Sequence, residues 1–174
     1  MLPPLVRRAL ELERQQGFER SCAPEVGRLL HVLAASRGRT RVAEIGTGAA
    51  VGAAWLVSAL APDVPFFTAE LDEGRAEAAR ELFRGDANVH VLAGDWRETL
   101  PPEAPFDLLF FDAAKHLRPR EDGELAIGLL APGGLAVLDD LTAPVRDVWL
   151  EHPALAATEL PLSPATSALL AVRR

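Results

Sequence analysis

The stretch that most constrains this chain runs from Arg41 to Gly52 and reads R-V-A-E-I-G-T-G-A-A-V-G. A short apolar run stops at Gly46, three glycines fall within seven residues, and a helix-forming segment follows from Ala53 to Leu60. This order predicts a strand, a tight glycine turn and a helix, which together open many nucleotide-type α/β folds. Glycine suits such a turn because it adopts backbone angles that a Cβ atom forbids. It also lets a ligand approach the main chain beside a helix N-terminus.

Glu44, just before the first glycine, narrows the choice of ligand. A carboxylate at this point would repel the pyrophosphate of a dinucleotide and attract an amino group or a sulfonium. S-adenosylmethionine carries both of these cationic groups and has no phosphate, so Glu44 favours it as the ligand of the turn. A local cap or ion pair made by Glu44 is the alternative interpretation.

Length, charge and cysteine content exclude several classes of protein. The 174 residues fit one domain over 1–174, with a helical N-terminal segment over 1–40 and an α/β core over 41–174. A net charge of −7 without a dense basic stripe argues against a general nucleic-acid binder. No apolar run reaches the roughly 18–20 residues of a membrane span. The single cysteine, Cys22, excludes an internal disulfide, and we therefore expect a cytoplasmic protein.

Strand-like and helix-like segments alternate along most of the chain. We predict helices over the following ranges: Leu5–Gln16, Pro24–Ser36, Ala53–Leu60, Glu73–Phe83, Arg120–Leu130 and Val145–Leu150. We predict strands over the following ranges: Arg41–Ile45, Pro65–Leu71, Asn88–Leu92, Phe106–Phe111, Leu135–Leu138, Thr158–Leu162 and Ser167–Val172. Such alternation is typical of a mainly parallel sheet with helices on both faces. The last two strands lie close enough in sequence to form a hairpin.

Acidic residues mark the ends of these strands. Carboxylates terminate or directly follow most of the apolar runs, namely Glu44, Glu70, Asp95, Asp112, Asp139 and Asp140. The C-terminal ends of parallel strands line one edge of a sheet, and ligands bind in the crevice there. One such residue alone could be an ordinary helix N-cap. Their repetition favours a functional rim of carboxylates.

Two positions on this rim suit a nucleoside. Glu70 ends the second strand, where a carboxylate can accept hydrogen bonds from both hydroxyls of a ribose. Asp95 follows the third strand, where an acid can receive the amino group of adenine. The indole of Trp96 is expected either to cover the adenine ring or to belong to the core.

The other end of the rim suits a cation and a proton acceptor. Asp112, Asp139 and Asp140 come from neighbouring strands, and three converging carboxylates favour a hard divalent ion such as Mg²⁺ or Mn²⁺. Without a cation they would repel one another. Lys115 lies three residues beyond Asp112 and can take a proton from a hydroxyl when its neutral form is favoured. The alternatives are an ordinary salt bridge of Lys115 with these aspartates and His116 as a second candidate base.

These segments together resemble the class I S-adenosylmethionine-dependent methyltransferases, and most of all the cation-dependent O-methyltransferases related to catechol and caffeoyl-coenzyme A methyltransferases. The similar segments read SCAPEVGRLL, VAEIGTG, AELD, FDLLFFDAAK and PGGLAVLDD, in chain order. The resemblance implies a Rossmann-like methyltransferase fold in the α/β class. Its mainly parallel, seven-stranded sheet would end in a C-terminal β-hairpin.

The same resemblance implies roles for individual residues. The cofactor S-adenosylmethionine is expected to contact the following residues: Glu44, Gly46, Gly48, Gly52, Glu70, Leu71, Gly94, Asp95, Trp96 and Asp112. The divalent cation, Mg²⁺ or Mn²⁺, falls to Asp112, Asp139 and Asp140. Lys115 is implied as the catalytic base.

The chain also departs from the family pattern. Ala50 replaces a glycine of the turn, and Gly52 replaces a serine that can touch the methionine carboxylate of the cofactor. Ala114 stands where the family has a second aspartate, whereas Asp140 replaces an asparagine and keeps an oxygen ligand. The segments that carry the substrate lid and much of the dimer contact in the family are short here. We therefore expect an open site or one completed by a second subunit in a homodimer.

The first hypothesis is an enzyme that methylates an oxygen of a small, hydroxylated, catechol-like molecule. The second is a degenerate methyltransferase fold that binds S-adenosylmethionine as a regulatory or partner module without turnover. A nicotinamide-dependent dehydrogenase is a third hypothesis, since Glu70 could hold the ribose of NAD. Glu44 and the Gly-Asp-Trp segment after the third strand argue against it.

Overall fold

The computed structural model describes residues 2–19 and 21–174. The helices, in chain order, are α1 Pro4–Gln16, α2 Pro24–Ala34, α3 Val51–Val57, α4 Glu73–Leu82, α5 Trp96–Thr99, α6 Pro119–Gly128 and α7 Ala143–Leu150. The strands are β1 Val42–Ile45, β2 Phe66–Glu70, β3 Val89–Ala93, β4 Phe106–Phe111, β5 Leu130–Leu138, β6 Leu155–Ser163 and β7 Thr166–Arg173. No helix in these two described ranges is long and apolar enough to cross a membrane.

All seven strands form one sheet in the order β3-β2-β1-β4-β5-β7-β6. The strands from β3 to β5 are parallel, whereas β7 pairs antiparallel with both β5 and β6. The predicted mainly parallel sheet with a C-terminal hairpin is therefore confirmed. The strand order reverses between β1 and β4, and a crevice opens at such a point beyond the C-terminal strand ends.

The core forms two layers, one on each face of the sheet. One layer packs α1, α2 and α3 against the sheet and includes Leu30, Trp55 and Phe110. The other packs α6 and α7 against the opposite face and includes Phe111 and Trp149. Every residue of β1 is buried, as expected for a parallel strand covered by helices on both faces. The central strands are thus rigid supports for the residues that follow them.

Several predicted boundaries were wrong. The α2 helix ends at Ala34 and α3 at Val57, each earlier than expected. The prediction also missed α5, a short helix that Asp95 caps by accepting a hydrogen bond from the backbone N–H of Arg97. A single 3₁₀ turn, Pro101–Glu103, lies in the stretch predicted as a proline-rich loop.

The largest error concerns β5. The segment Pro132-Gly133-Gly134, predicted as a turn before the strand, lies inside a strand that begins at Leu130. The pairing with β4 shifts register next to Phe106. A Cβ atom on Gly134 would lie 2.7 Å from the carbonyl oxygen of Phe106, so glycine permits this irregular but continuous strand.

Candidate active site

A cavity of about 420 Å³ lies beyond the C-terminal ends of the parallel strands. Its wall includes most of the residues predicted to contact the cofactor, namely Gly46, Gly48, Glu70, Leu71, Gly94, Asp95, Trp96 and Asp112. Lys115 and His116 lie in the same wall. The volume is within the range of cavities that hold cofactor-sized ligands. The topology thus brings together residues from four different strand ends.

The glycine turn closes against the neighbouring strand. Gly46 and Gly48 have positive φ angles of 93° and 53°. A Cβ atom on Gly46 would lie 2.5 Å from the carbonyl oxygen of Asp112. Glycine at position 46 is therefore needed to keep the turn close to the end of β4.

Ala50, the departure from the family glycine, adopts the left-handed conformation with φ 63° just before α3. This conformation costs an alanine roughly 1–2 kcal/mol. The side chain is fully buried, and burial of one methyl group returns about 0.8 kcal/mol. The two terms nearly offset each other, and Ala50 does not line the cavity. The substitution therefore leaves the turn intact.

Glu44 and Gly52 lie beneath the cavity rather than in its wall. The Oε2 atom of Glu44 accepts a 2.6 Å hydrogen bond from the hydroxyl of Thr68, which lies 2.6 Å from the hydroxyl of Thr47. A Cβ atom on Gly52 would lie 2.4 Å from Glu44 Oε1 and 2.9 Å from Cε1 of Phe110, so a larger residue here would displace the Glu44 carboxyl group. Gly52 thus makes room for Glu44, a function that differs from the cofactor contact expected from the sequence.

Burial raises the pKa of Glu44 to about 8, although the hydrogen bond from Thr68 opposes this rise. The side chain is 1 % exposed. Glu44 is consequently protonated for the most part at neutral pH and does not present a full negative charge. The attraction of a cationic ligand predicted from the sequence is therefore weak in the free protein, because that prediction treated Glu44 as an ionised, accessible group.

Glu70 is buried at the end of β2 with both oxygens occupied by protein donors. Its Oε2 atom accepts from the backbone N–H of Gly48 at 2.8 Å, which ties the glycine turn to β2. Its Oε1 atom accepts from Asp72 N at 2.9 Å and from Nε and Nη2 of Arg75 at 3.1 and 2.8 Å. Oε1 is therefore saturated, whereas Oε2 has a single donor among the described residues and can accept one more hydrogen bond. A ribose at Glu70 could bind Oε2 directly and would reach Oε1 only by replacing a donor of Arg75.

Arg97 and Asp122 form part of the cavity wall that sequence reasoning missed. The guanidinium of Arg97 binds Asp122 through two hydrogen bonds of 2.8 and 2.7 Å. It also donates to both carboxylate oxygens of Asp95 at 3.0 Å. Although partial burial opposes it, hydrogen bonding from Arg97 lowers the pKa of Asp95. The one signal in the sequence was an acid, Asp122, on the buried side of a predicted helix.

Trp96 belongs both to the core and to the cavity wall. The side chain is buried and meets the ring of Phe111 edge-on, with 5.4 Å between centroids. Arg97 lies over the Trp96 indole at 5.2 Å. Unlike Trp96, the wall residue Leu71 has a side chain that is 76 % exposed. The adenine end of the predicted site therefore combines a fixed aromatic residue with an exposed aliphatic one.

The carboxylates of Asp112, Asp139 and Asp140 each place an oxygen within 4.8 Å of the others. Consecutive strand residues point to opposite faces, but β5 ends at Leu138 and Asp140 has a positive φ of 45°. This change of direction brings both members of the pair to one site. Three close carboxylate oxygens fit a hard divalent cation.

Electrostatics in this cluster are unfavourable for the free protein. Burial, followed by repulsion from Asp139, raises the pKa of Asp112 well above its ordinary value. Burial also raises the pKa of Asp139, where the attraction of Lys115 opposes the repulsion of Asp140. The Nζ atom of the buried Lys115 lies 3.4 Å from Asp139 Oδ1. A single ammonium therefore leaves the cluster with an excess of negative charge that a cation would neutralise.

A second cavity, of about 270 Å³, adjoins the first. Its wall comes from the chain before and at the start of α2, the residues after β5, the α7 helix, the turn between β6 and β7, and the first residues of β7. Asp139 and Asp140 contribute to it, and Asp140 lies in the walls of both cavities. The acid cluster therefore stands at the boundary between the two cavities.

Comparison with solved structures defines the class of protein that shares this fold. The fold matches an O-methyltransferase from Bacillus cereus in complex with S-adenosylhomocysteine, with a TM-score of 0.85, 22 % identity and coverage of 100 % of this chain and 92 % of the other. It also matches the O-methyltransferase TomG from Streptomyces achromogenes in complex with S-adenosylmethionine, with a TM-score of 0.82 and 25 % identity over 99 % and 91 % of the two chains. The protein has the fold of S-adenosylmethionine-dependent methyltransferases.

The sequence comparisons then give the family. The model of the methyltransferase domain family matches residues 43–141, more than half of the chain. A protein of Mycolicibacterium vanbaalenii, whose name places it among the O-methyltransferases, is 34 % identical over 122 residues. This match covers 67 % of the present chain and 54 % of the relative. The chain belongs to this methyltransferase domain family, and it spans about half the length of the curated relatives it matches.

Proposed function

We propose that the protein transfers a methyl group from S-adenosylmethionine to an oxygen of a small, hydroxylated, catechol-like acceptor, with a divalent cation as a second cofactor. The observation that carries the proposal is the position of the acid cluster between two cavities, with Lys115 of the larger cavity 3.4 Å from Asp139. The larger cavity suits the cofactor and the smaller one suits an acceptor of about one ring. The name of the Mycolicibacterium relative supports transfer to oxygen, and the ligand bound to TomG supports S-adenosylmethionine as the cofactor.

The residues of the larger cavity fit S-adenosylmethionine. Gly46 and Gly48 leave the main chain open to the ligand, Glu70 would hold the ribose, and Leu71 and Asp95 would lie at the adenine. When bound, the cofactor supplies a methyl group whose carbon–sulfur bond breaks, with its electron pair passing to sulfur, as the acceptor oxygen forms the new carbon–oxygen bond. The chain contributes orientation, which is a large part of the rate enhancement in a two-substrate reaction.

The oxygen donors of Asp112, Asp139 and Asp140 fit Mg²⁺ or Mn²⁺. When bound, the cation supplies a Lewis acid that lowers the pKa of the acceptor hydroxyl. The three aspartates would hold it at the boundary between the cavities. Burial raises the pKa values of Asp112 and Asp139, so protons leave these two carboxyl groups as the cation arrives, and cation affinity should rise with pH.

Lys115 is proposed as the group that takes the proton from the acceptor hydroxyl. Its ammonium is buried, 3.4 Å from Asp139 and 5.9 Å from the centroid of the Phe111 ring. A cation held by the aspartates would pair with Asp139 in place of Lys115. The freed side chain of Lys115 could then act as a general base.

We also propose that a second copy of the chain completes the acceptor cavity as a homodimer. Only α7 and its flanking loops separate β5 from β6, so the chain itself supplies little to cover this cavity. The proposed location is the cytoplasm, because Cys22 is a free, buried thiol and a reducing compartment suits it.

A non-catalytic module that binds S-adenosylmethionine is the second candidate function. One observation favours it: Ala114, in the wall of the cofactor cavity, stands where the family pattern has an acid. The two candidates differ in whether the protein binds a cation and turns over.

The deciding experiment is a calorimetric titration of S-adenosylhomocysteine into the protein with Mn²⁺, followed by incubation with S-adenosylmethionine and catechol. We expect micromolar binding and a methylated catechol detected by mass spectrometry, with product lost when EDTA replaces Mn²⁺. Binding without turnover and without heat on Mn²⁺ titration would favour the non-catalytic module. Absence of S-adenosylhomocysteine binding would contradict both candidates.

A further inference from the structure

The wall of the second cavity differs in kind from that of the first. The larger cavity includes Phe18, Trp96 and Phe111, whereas the described residues around the smaller cavity include no aromatic side chain. Polar and charged residues predominate there: Ser21, Asp139, Asp140, Arg146, Thr166 and Ser167. Catechol rings are usually held by aromatic or aliphatic surfaces, as are most small ligands. This wall instead favours an acceptor with additional hydrogen-bonding groups.

Ser21 supplies a hydroxyl that the described protein does not satisfy. Its Oγ atom is buried and has no hydrogen-bond partner among the residues that the structure describes, which is unusual for a buried polar atom. In the present rotamer this oxygen is shielded from solvent. Ser21 lines the smaller cavity, and rotation about its Cα–Cβ bond gives the hydroxyl two further staggered positions. In a position that faces the cavity, the hydroxyl would bind a polar group of a bound molecule.

The charged residues of this wall are already paired. Arg146 binds Glu159 through hydrogen bonds of 2.8 and 2.9 Å and donates to the carbonyl of Leu141 at 2.7 Å. Ser167 donates to the same Glu159 carboxylate. The guanidinium is therefore neutralised, and Asp139 and Asp140 lie nearby. A carboxylate on the acceptor would gain little from Arg146 and would meet the negative acid pair. The wall thus suits a neutral polar group.

We propose that the acceptor is a small, neutral molecule that carries a further hydroxyl beside the pair of oxygens directed at the acid cluster, and that Ser21 and Thr166 recognise that hydroxyl. This inference rests on the proposed function, because it takes the second cavity as the acceptor site. It narrows the acceptor from catechol-like molecules in general to polyhydroxylated ones. Thr166, which is half-buried in the same wall, provides the second hydroxyl-bearing side chain.

Two nearly isosteric probes test the preference on the ligand side. Pyrogallol and 3-methylcatechol differ only in whether the ring carbon beside the two adjacent hydroxyls carries a hydroxyl or a methyl group. Calorimetry would measure their binding to protein loaded with S-adenosylhomocysteine and Mn²⁺, in which no turnover takes place. We expect pyrogallol to bind about tenfold more tightly, the factor that one good hydrogen bond provides. Equal affinities, or tighter binding of 3-methylcatechol, would overturn the inference.

Variants test the assignment on the protein side. Ser21→Ala and Thr166→Val each remove a hydroxyl at little cost in volume, and together they should bring the affinity ratio of the two probes close to one. Ser36→Ala is the control, because the Ser36 hydroxyl donates to Leu33 at the exposed end of α2. The control should keep the full ratio. An unchanged ratio in the double variant would show that other groups bind the hydroxyl and would overturn the assignment.

The outcomes also separate this inference from the proposed function. Methylation of catechol with no preference for pyrogallol would leave the proposed function standing and reject the polyhydroxylated acceptor. Tighter binding of 2,3-dihydroxybenzoate than of pyrogallol would show that Arg146 is available to a carboxylate, and would reject the neutral acceptor. Absence of binding by all three probes, with S-adenosylhomocysteine bound, would reject the second cavity as the acceptor site.

Discussion

The two cavities differ in how the chain builds them. The larger cavity lies at the ends of the parallel strands, of which β1 and β2 are fully buried. The smaller cavity is made of a segment before α2, the residues after β5, the α7 helix, the turn after β6 and the start of β7. Strand ends have a fixed spacing and direction, whereas connecting segments depend on what packs against them. The sheet therefore fixes the first cavity, and the packing of connecting segments shapes the second.

The difference suggests where change is tolerated. Around the larger cavity, side chains link separate elements of the fold. Glu70 accepts a hydrogen bond from the glycine turn, and Arg97 forms an ion pair with Asp122. Substitutions there should affect both binding and folding. Around the smaller cavity, Ser21, Asp139 and Asp140 lie on connecting segments, where substitutions should alter selectivity more than stability. Asp112 and Lys115, at the boundary, should affect the chemistry most.

The largest effect is expected for Lys115→Met. Loss of the proposed proton acceptor should lower turnover with catechol by about 10²–10⁴-fold, the usual contribution of a general base. The affinity for S-adenosylhomocysteine should change less than about twofold, because Lys115 lies at the boundary and not at the ribose or adenine end. A steady-state assay and a titration check both values. His116→Ala is the comparison variant, and turnover that falls only in that variant would transfer the role to His116.

Asp112→Asn should act on activity and stability in opposite directions. Turnover should fall by roughly 100-fold or more, since a Lewis acid contributes several kcal/mol to such reactions. Thermal stability without a cation should increase, because the pKa of Asp112 is raised by burial and by the charge of Asp139. An acid whose pKa is raised on folding stabilises the protein at low pH, and this contribution is lost as pH rises.

Thermal unfolding with EDTA and with Mn²⁺ measures both effects of Asp112→Asn. Mn²⁺ should raise the melting temperature of the wild type and have less effect on the variant. Asp147→Asn, an exposed position on α7, is the control and should leave both quantities unchanged. A variant that is less stable than the wild type in EDTA would mean that Asp112 is stabilising in the free protein, contrary to its expected electrostatics.

Arg97→Met tests the hydrogen-bonded residues around the larger cavity. It would leave Asp122 buried without its close partner, which typically costs 3–5 kcal/mol. Arg118 lies 3.7 Å from Asp122 and can compensate in part. We therefore expect the free energy of unfolding to fall by about 2–4 kcal/mol, as measured by urea denaturation. The affinity for S-adenosylhomocysteine should fall as well, because Arg97 positions Asp95.

The matched control for Arg97→Met is Arg80→Met, which removes an arginine paired with the exposed Glu73 and Glu77. Such surface pairs contribute at most about 1 kcal/mol. The double variant Arg97→Met/Asp122→Leu should recover part of the lost stability, since it also removes the buried charge. Equal losses of unfolding free energy in the Arg97 and Arg80 variants would show that the Arg97–Asp122 pair contributes no more to stability than an exposed pair.

Glu44→Gln should change stability only at high pH and leave it unaltered at low pH. The pKa of Glu44 rises on folding to about 8 from an ordinary 4.5, so its stabilising contribution is complete below pH 4.5 and is lost as pH approaches 8. The neutral glutamine avoids this loss. Its melting temperature should match that of the wild type at low pH and exceed it at pH 9 by at least about 2–4 °C, the shift that 1 kcal/mol produces. Glu73→Gln, at an exposed position, should show no such gain.

The same comparison explains what sequence reasoning found and missed. The helix–strand alternation, the glycine turn and the hairpin were predictable because periodicity and turn residues are local properties of the chain. The ends of parallel strands line one edge of a sheet, so topology predicts that Asp112 and Asp139 lie close together. The positive φ of Asp140, which brings this residue to the same site, is visible only in the structure. The continuous β5 was missed because Pro132-Gly133-Gly134 has the composition of a turn. Its pairing with β4 overrides that local preference.

The sequence by itself determined the fold class, the family and the residues brought to the rim of the sheet. Only the tertiary structure decided which of these residues face a ligand. Glu44 lies under α3 with a raised pKa, and the partners of Asp122 and Arg146 come from elements distant in the chain. The division of one rim into two cavities also depends on how α2, α7 and the hairpin turn pack together. Burial, charge pairing and cavity shape are properties of packing, and a local pattern of residues does not contain them.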